Sequence, residues 1–387
     1  FELNPVMATW AGEKQYIDKF VNNLTPSFRE RELAVQTETL AALDRIDSAM
    51  LAPADRLTYE VLRYRASMRR DEAQFDFYLT PFNQFYSLPL TLVQFASTEG
   101  AQPFRSVADY EAFLRRMDGF PGWVDSAISN MREGASKRVV QPKVLMQRVL
   151  VQLKTQLVTD PVKSGFYKPV LKFPASITEQ DRARLSAAYR DMVVARVVPA
   201  FARLHDFIEK EYLPRCRDSA GLSDTPNGAA KYAFRAREST TTDLSPEAIH
   251  ATGLAEVARI RGEMDKVRRQ VGFKGDLPAF LASITADPRH APFKTEAEVI
   301  EAYRVILRWV QPLLDKLLSR KPRAALEIRP EPEITRATAA AHYNVGAPDG
   351  SRPGVFYAPV RDAQTYTSPK MTSLFLHEGL PGHHFES

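Results

Sequence analysis

The segment His377-Glu378-Gly379-Leu380-Pro381-Gly382-His383-His384 holds three of the seven histidines of this chain, and a glutamate follows the first. Imidazole and carboxylate are the ligands that borderline-soft divalent metals such as Zn2+ take. A His-Glu pair with another histidine shortly after, at the end of an apolar run, comes close to the metallopeptidase pattern H-E-x-x-H. The spacing differs. On a regular helix, residues six apart are rotated by roughly 240° and separated by about 9 Å along the axis. Residues seven apart share a face but lie about 10.5 Å apart. Neither His383 nor His384 could then join His377 on one ion.

Pro381 and Gly382 supply the missing freedom. Proline lacks an N–H, and its ring clashes with the carbonyl four residues back, here that of His377. Glycine tolerates the dihedrals that follow. A bulge at this point would bring His383 back beside His377. The expectation is a metal held by His377 and His383, with His384 as the alternative ligand and Glu378 as general base toward water. Ser368 at the N-cap and Pro369 at the first helical position predict a helix over about 369–387, with Met371, Leu374 and Phe375 on its buried side.

The eight-residue segment resembles the signature of the bacterial DUF885 proteins, and further blocks of the chain are similar to that family in the same order. They are Gln102-Pro103-Phe104 with Val107-Ala108-Asp109-Tyr110 and Asn130–Gly134; Asn227-Gly228 with Tyr232 and Thr240–Ile260; and Asp349-Gly350-Ser351-Arg352-Pro353-Gly354-Val355-Phe356-Tyr357. The resemblance implies a zinc-dependent peptidase of the gluzincin type that admits short peptides. It also implies a third zinc ligand, a glutamate, downstream of the motif. The chain begins at Phe1 and ends at Ser387 without a helix stop signal. It therefore reads as one mostly helical domain over 1–387, incomplete at both ends and inactive alone. Two other classes stay open: a non-catalytic helical binding protein, and a metal-dependent hydrolase of non-peptide amides or esters.

Composition sets the frame. Over 387 residues, 44% hydrophobic and 26% charged, the chain can bury a large core. The net charge of +5 is mild, the charges are interspersed, and no nucleic-acid motif appears. No apolar run is long enough to span a membrane. One cysteine, Cys216, excludes an internal disulfide. That suits the cytoplasm, but a large core needs no disulfide in an oxidising compartment either; the expected location is periplasmic or secreted, with the cytoplasm as alternative. Oligomeric state is not legible.

Helical periodicity dominates, so the predicted fold class is mainly α, a large helical scaffold with a small β-sheet beside the metal-site helix. Helices are predicted over 27–50, 54–69, from Ser106, over 121–133 with Gly134 as stop, over 142–157, from a Ser176/Glu179 capping box toward Tyr212 with a kink near Pro199, from Ser245, and from a Thr295/Glu298 capping box to about Leu318. Their apolar stripes, with Tyr303 and Trp309, are expected in the core. Leu326–Arg329 alternates as a strand, and Val355–Val360 is β-rich. Pro353 and Pro359 mark the latter as an edge strand, where a peptide could add. Arg352 could take a substrate carboxylate and Tyr357 could donate to an oxyanion, while His342, Tyr343 and Asn344 precede that strand closely enough to line a cleft.

Overall fold

Local signals place most helix starts. Thr25 caps α2 (Pro26–Leu43), Ser106 and Asp109 close a reciprocal capping box on α5 (Val107–Met117), and proline opens α3 (Pro53–Glu72) and α4 (Leu88–Ala96). A computed structural model of the chain describes residues 1–97, 100–314, 316–332, 336 and 339–386. It is mainly helical with one three-stranded sheet, as the periodicity predicts. The chain divides into two compact units: residues 1–9 with 14–249, and residues 10–13 with 250–387.

Among the described residues the first unit is built of helices, with one isolated β-bridge between Pro142 and Arg217. After α1 (Pro5–Trp10) and α2 to α5 come α6 (Phe120–Ser136), α7 (Lys143–Lys154), α8 (Glu179–Met192), α9 (Val198–Phe207) and α10 (Gly228–Thr240). Its core is aromatic. Phe113 and Tyr189 stack at 6.3 Å, the Tyr189 hydroxyl donates to the Tyr110 carbonyl, and Phe120 meets Phe201 at 5.1 Å. Arg116 is wholly buried and donates to the carbonyls of Lys19 and Tyr16, to Gln102 Oε1 and to Thr9 Oγ1.

Several local expectations shift. Thr178, not Ser176, caps α8, through the Asp181 amide. Near Pro199, where a kink is expected, the helix departs from regular α geometry: a π-turn over Val193–Val197 runs directly into α9, whose first residues include the proline. Gly134 lies inside α6, where an added Cβ would come within 2.6 Å of the Val139 carbonyl, so close approach rather than helix termination explains it. Helix α2 stops at Leu43, and Met50 is 82% exposed in the turn beyond.

The second unit holds α11 (Pro246–Gln270, whose first residues fall in the other unit), α12 (Leu277–Ala286) and α13 (Glu296–Leu314). Strands β1 (Leu326–Pro330), β2 (His342–Asn344) and β3 (Gly354–Ala358) follow, then α14 (Met371–Glu378) and α15 (Gly382–Glu386). Strand order is β1-β3-β2, with β1 parallel and β2 antiparallel to β3. The register sets Ile328 and Tyr343 beside Phe356, and Arg329 and His342 beside Tyr357. Tyr303 of α13 is the hub: its ring meets Phe356 at 4.9 Å and Phe375 at 6.2 Å, and its hydroxyl lies 2.7 Å from that of Tyr366. Burial pushes its pKa far up.

Two expectations are overturned here. β3 is the central strand and every residue of it is buried, so it is not an edge that could receive a peptide. Pro353 precedes Gly354 and Pro359 follows Ala358; both prolines stand just outside the paired ladder and interrupt nothing. The stripe Leu254, Val257, Met264 and Val267 is not core either, for α11 buries no residue and Trp309 of α13 is 60% exposed.

Candidate metal centre

The predicted single helix over 369–387 is two helices. Ser368 does not cap; it sits in a 3-10 turn and donates to the His290 carbonyl. α14 then ends at Glu378, with Gly379 at φ −108°, ψ −104° and its amide on the Phe375 carbonyl. The Leu380–Pro381 peptide is cis. Leu380 is buried in the core of the second unit, which anchors the turn. A Cβ on Gly382 would lie 1.8 Å from the His377 carbonyl oxygen, so only glycine lets α15 start so close to the end of α14. The amides of His384 and Phe385 close the junction onto the carbonyls of Gly379 and Pro381.

This reversal brings the His383 ring edge-on to that of His377, centroids 4.8 Å apart at 72°. One ligand atom from each of His377, Glu378 and His383 lies within 4.8 Å of the others. His383 Nε2 stands 3.8 Å from Glu378 Oε2, and His383 Nδ1 stands 2.9 Å from Glu386 Oε2. A carboxylate oxygen only accepts, so Nδ1 carries a proton toward Glu386, while Nε2 lies on the side of Glu378. Two imidazoles and a carboxylate, with one imidazole already oriented by an outer carboxylate, fit a borderline divalent ion such as zinc.

His384 is not part of this group. It is buried, its Nδ1 lies 2.8 Å from the Tyr343 hydroxyl, and the ring also hydrogen-bonds the Ala324 backbone. Burial holds its pKa below the usual imidazole value, and the Ala324 bond opposes that only in part. A neutral ring with one donor and one acceptor suits these two partners. Gly354 of β3 faces the same pair: its Cβ would fall 1.9 Å from the Tyr343 hydroxyl oxygen and 2.9 Å from His384 Nδ1.

The remaining sequence candidates have other surroundings. Arg352 donates to the carbonyls of Val345 (2.6 Å) and Trp10 (2.7 Å) and lies over the Trp10 ring, so its fork is spent on backbone. Burial lowers its pKa. Tyr357 is buried in β3 and stacks on His342 at 5.2 Å, on the sheet face opposite Phe356 and Tyr343. Tyr343 is the strand residue that approaches the histidines, its ring 6.5 Å from that of His383. Sequence reasoning placed Tyr343 only in a stretch near the cleft and gave Glu386 no role, although its place three residues after His383 on one helical face was readable.

The chain belongs to the DUF885 family, described as a bacterial protein of unknown function, whose family model matches residues 5–387. No curated protein matches it. Among solved structures it is similar to "the putative lipoprotein from Colwellia psychrerythraea", with TM-score 0.83 and 20% identity over 99% of this chain and 69% of that one. At that identity the likeness speaks for the fold. Among the described residues no helix is long and apolar enough to cross a membrane.

Proposed function

We propose that this DUF885 protein is a zinc-dependent peptidase in which His377 and His383 hold the ion and Glu378 is the general base. The observation that carries the reading is the convergence of His377, Glu378 and His383, 4.8 Å or less apart, across a helix break that costs regular backbone pairing. Bound there, zinc supplies Lewis acidity toward water and the scissile carbonyl. Glu378 takes the proton from the attacking water and returns it to the leaving amine. Glu386 holds His383 in the tautomer that presents Nε2. Two imidazoles fall one short of the three protein ligands usual for catalytic zinc.

An extended peptide has a place to pair. Among the described residues β2 is bonded to β3 on one side only, and its Tyr343 stands beside His383. Its outer edge offers backbone donors and acceptors for strand addition, the role that buried β3 cannot take. The description of the fold neighbour as a lipoprotein favours an extracytoplasmic setting.

The test pairs metal analysis with hydrolysis. Zinc should bind stoichiometrically and be lost in His377→Ala/His383→Ala, whereas Glu378→Gln should keep zinc and lose cleavage of a short-peptide library. A protein that neither holds zinc nor cleaves any peptide would favour a non-catalytic binding protein, and cleavage untouched by Glu378→Gln would overturn the general-base role of Glu378. Turnover of acyl-amide substrates with none of peptides would move the activity to non-peptide bonds.

A further inference from the structure

We propose that the first unit carries a separate divalent-cation site built from His205 Nδ1, Asp206 Oδ1 and Glu209 Oε2. One ligand atom from each of these residues lies within 4.8 Å of the others. All three sit where α9 passes into a π-turn over Ile208–Tyr212, a departure from regular helix that is frequent at functional positions. His205 and Glu209, four apart, share a helix face.

The histidine is the informative member. Its Nδ1 is buried and has no hydrogen-bond partner among the described residues. The two carboxylates face it without closing on it: Asp206 Oδ1 at 3.6 Å and Glu209 Oε2 at 4.0 Å. Both stand slightly outside hydrogen-bond range. Asp206 divides its oxygens, for Oδ2 accepts from the Lys210 ammonium at 2.7 Å and Oδ1 is left toward His205. A buried ring nitrogen that faces two carboxylate oxygens without a hydrogen bond to either is the kind of donor set a cation gathers.

A cation completes it. Ligand atoms about 2.0–2.2 Å from zinc stand roughly 3.3–3.5 Å apart around a tetrahedral ion. The His205–Asp206 separation is already near that figure. Closing the rest falls to Glu209, an exposed side chain free to rotate. The His205 side chain is only 13% exposed and is held in place, while the acids, at 56% and 53%, leave room for water as further ligands. One imidazole with two carboxylates selects zinc, cobalt or nickel over magnesium and calcium, which prefer all-oxygen shells.

The experiment titrates Co2+ and Zn2+ into the 387-residue protein carrying His377→Ala and His383→Ala, so that the other cluster cannot contribute. One equivalent should bind, with visible Co2+ absorption. Adding Glu209→Gln, an exposed change that leaves the fold intact, should weaken binding at least about tenfold, since even outer-shell losses cost that much. His205→Ala should abolish it, with circular dichroism checking the helices. No bound ion in the double variant overturns the site. Binding unchanged by Glu209→Gln and His205→Ala overturns it equally.

Discussion

His383 Nδ1 donates to Glu386 Oε2 across 2.9 Å, and the opposite nitrogen of the same ring faces Glu378. The exposed carboxylate thereby decides which nitrogen is available to an ion. Glu386→Ala should lower zinc affinity by about tenfold, the small end of the range for outer-shell partners because Glu386 is 72% exposed. Glu386→Gln keeps an acceptor and should lose less. Competition against a chromogenic chelator measures both; equal affinity in wild type and Glu386→Ala would refute the tautomer argument.

Gly354 leaves no room beside Tyr343 and His384. Gly354→Ala should destabilise the protein by about 1–3 kcal/mol, the usual cost of overpacking. On a Tyr343→Ala background the same change should cost markedly less, because the crowded ring is gone. Denaturant unfolding of the four proteins gives the coupling. Additive losses would mean that the glycine is needed for another reason.

Arg352 ties the Val345 and Trp10 carbonyls together. Arg352→Ala should cost about 1.5–3 kcal/mol, typical of hydrogen bonds made by a charged donor, and should shift Trp10 fluorescence while zinc content stays constant. A variant of unchanged stability with impaired substrate binding would restore the carboxylate-binding role suggested by the sequence.

Arg116 is a buried cation held by carbonyls, an amide and a hydroxyl, and burial pushes its pKa down to about 10. Arg116→Met removes the donor and strands those acceptors. A loss of about 3 kcal/mol or more is expected in denaturant unfolding, since each buried unsatisfied group costs about 1–3 kcal/mol. A loss below about 1 kcal/mol would mean that water replaces the guanidinium.

Asp287 accepts from the side chain and the amide of Arg289, which hold its carboxyl down at about 2. The folded value lies below the ordinary 3.8, so the stabilisation is complete above 3.8 and disappears as pH falls through about 2. Carboxyl NMR should place the midpoint near 2, and Arg289→Ala should return it toward 3.8. A midpoint near 3.8 in the unaltered protein would refute the pairing.

Fold class was legible because α5 and α13 announce themselves by period and cap. Where two capping residues lie close, as Ser176 and Thr178 do, composition does not choose; the amide actually reached, that of Asp181, does. Apolar spacing on α11 reports only a face that repels water, and the sequence cannot say whether anything covers it. The Pro-Gly break was readable as a departure from regular helix, but not the cis peptide or the reversal into α15. Strand centrality was misread because prolines near a strand and prolines within its ladder look alike in one dimension.

Pro353 and Pro359 also bound β3 at both ends. Sliding the strand by two residues in either direction would preserve which side chains face α13, so hydrophobicity alone does not forbid it. Such a slide would carry a ring nitrogen without a proton into a ladder that β1 and β2 occupy on both flanks. The two rings act as end stops, and the alignment that sets Gly354 opposite Tyr343 and His384 is thereby locked by what the backbone lacks.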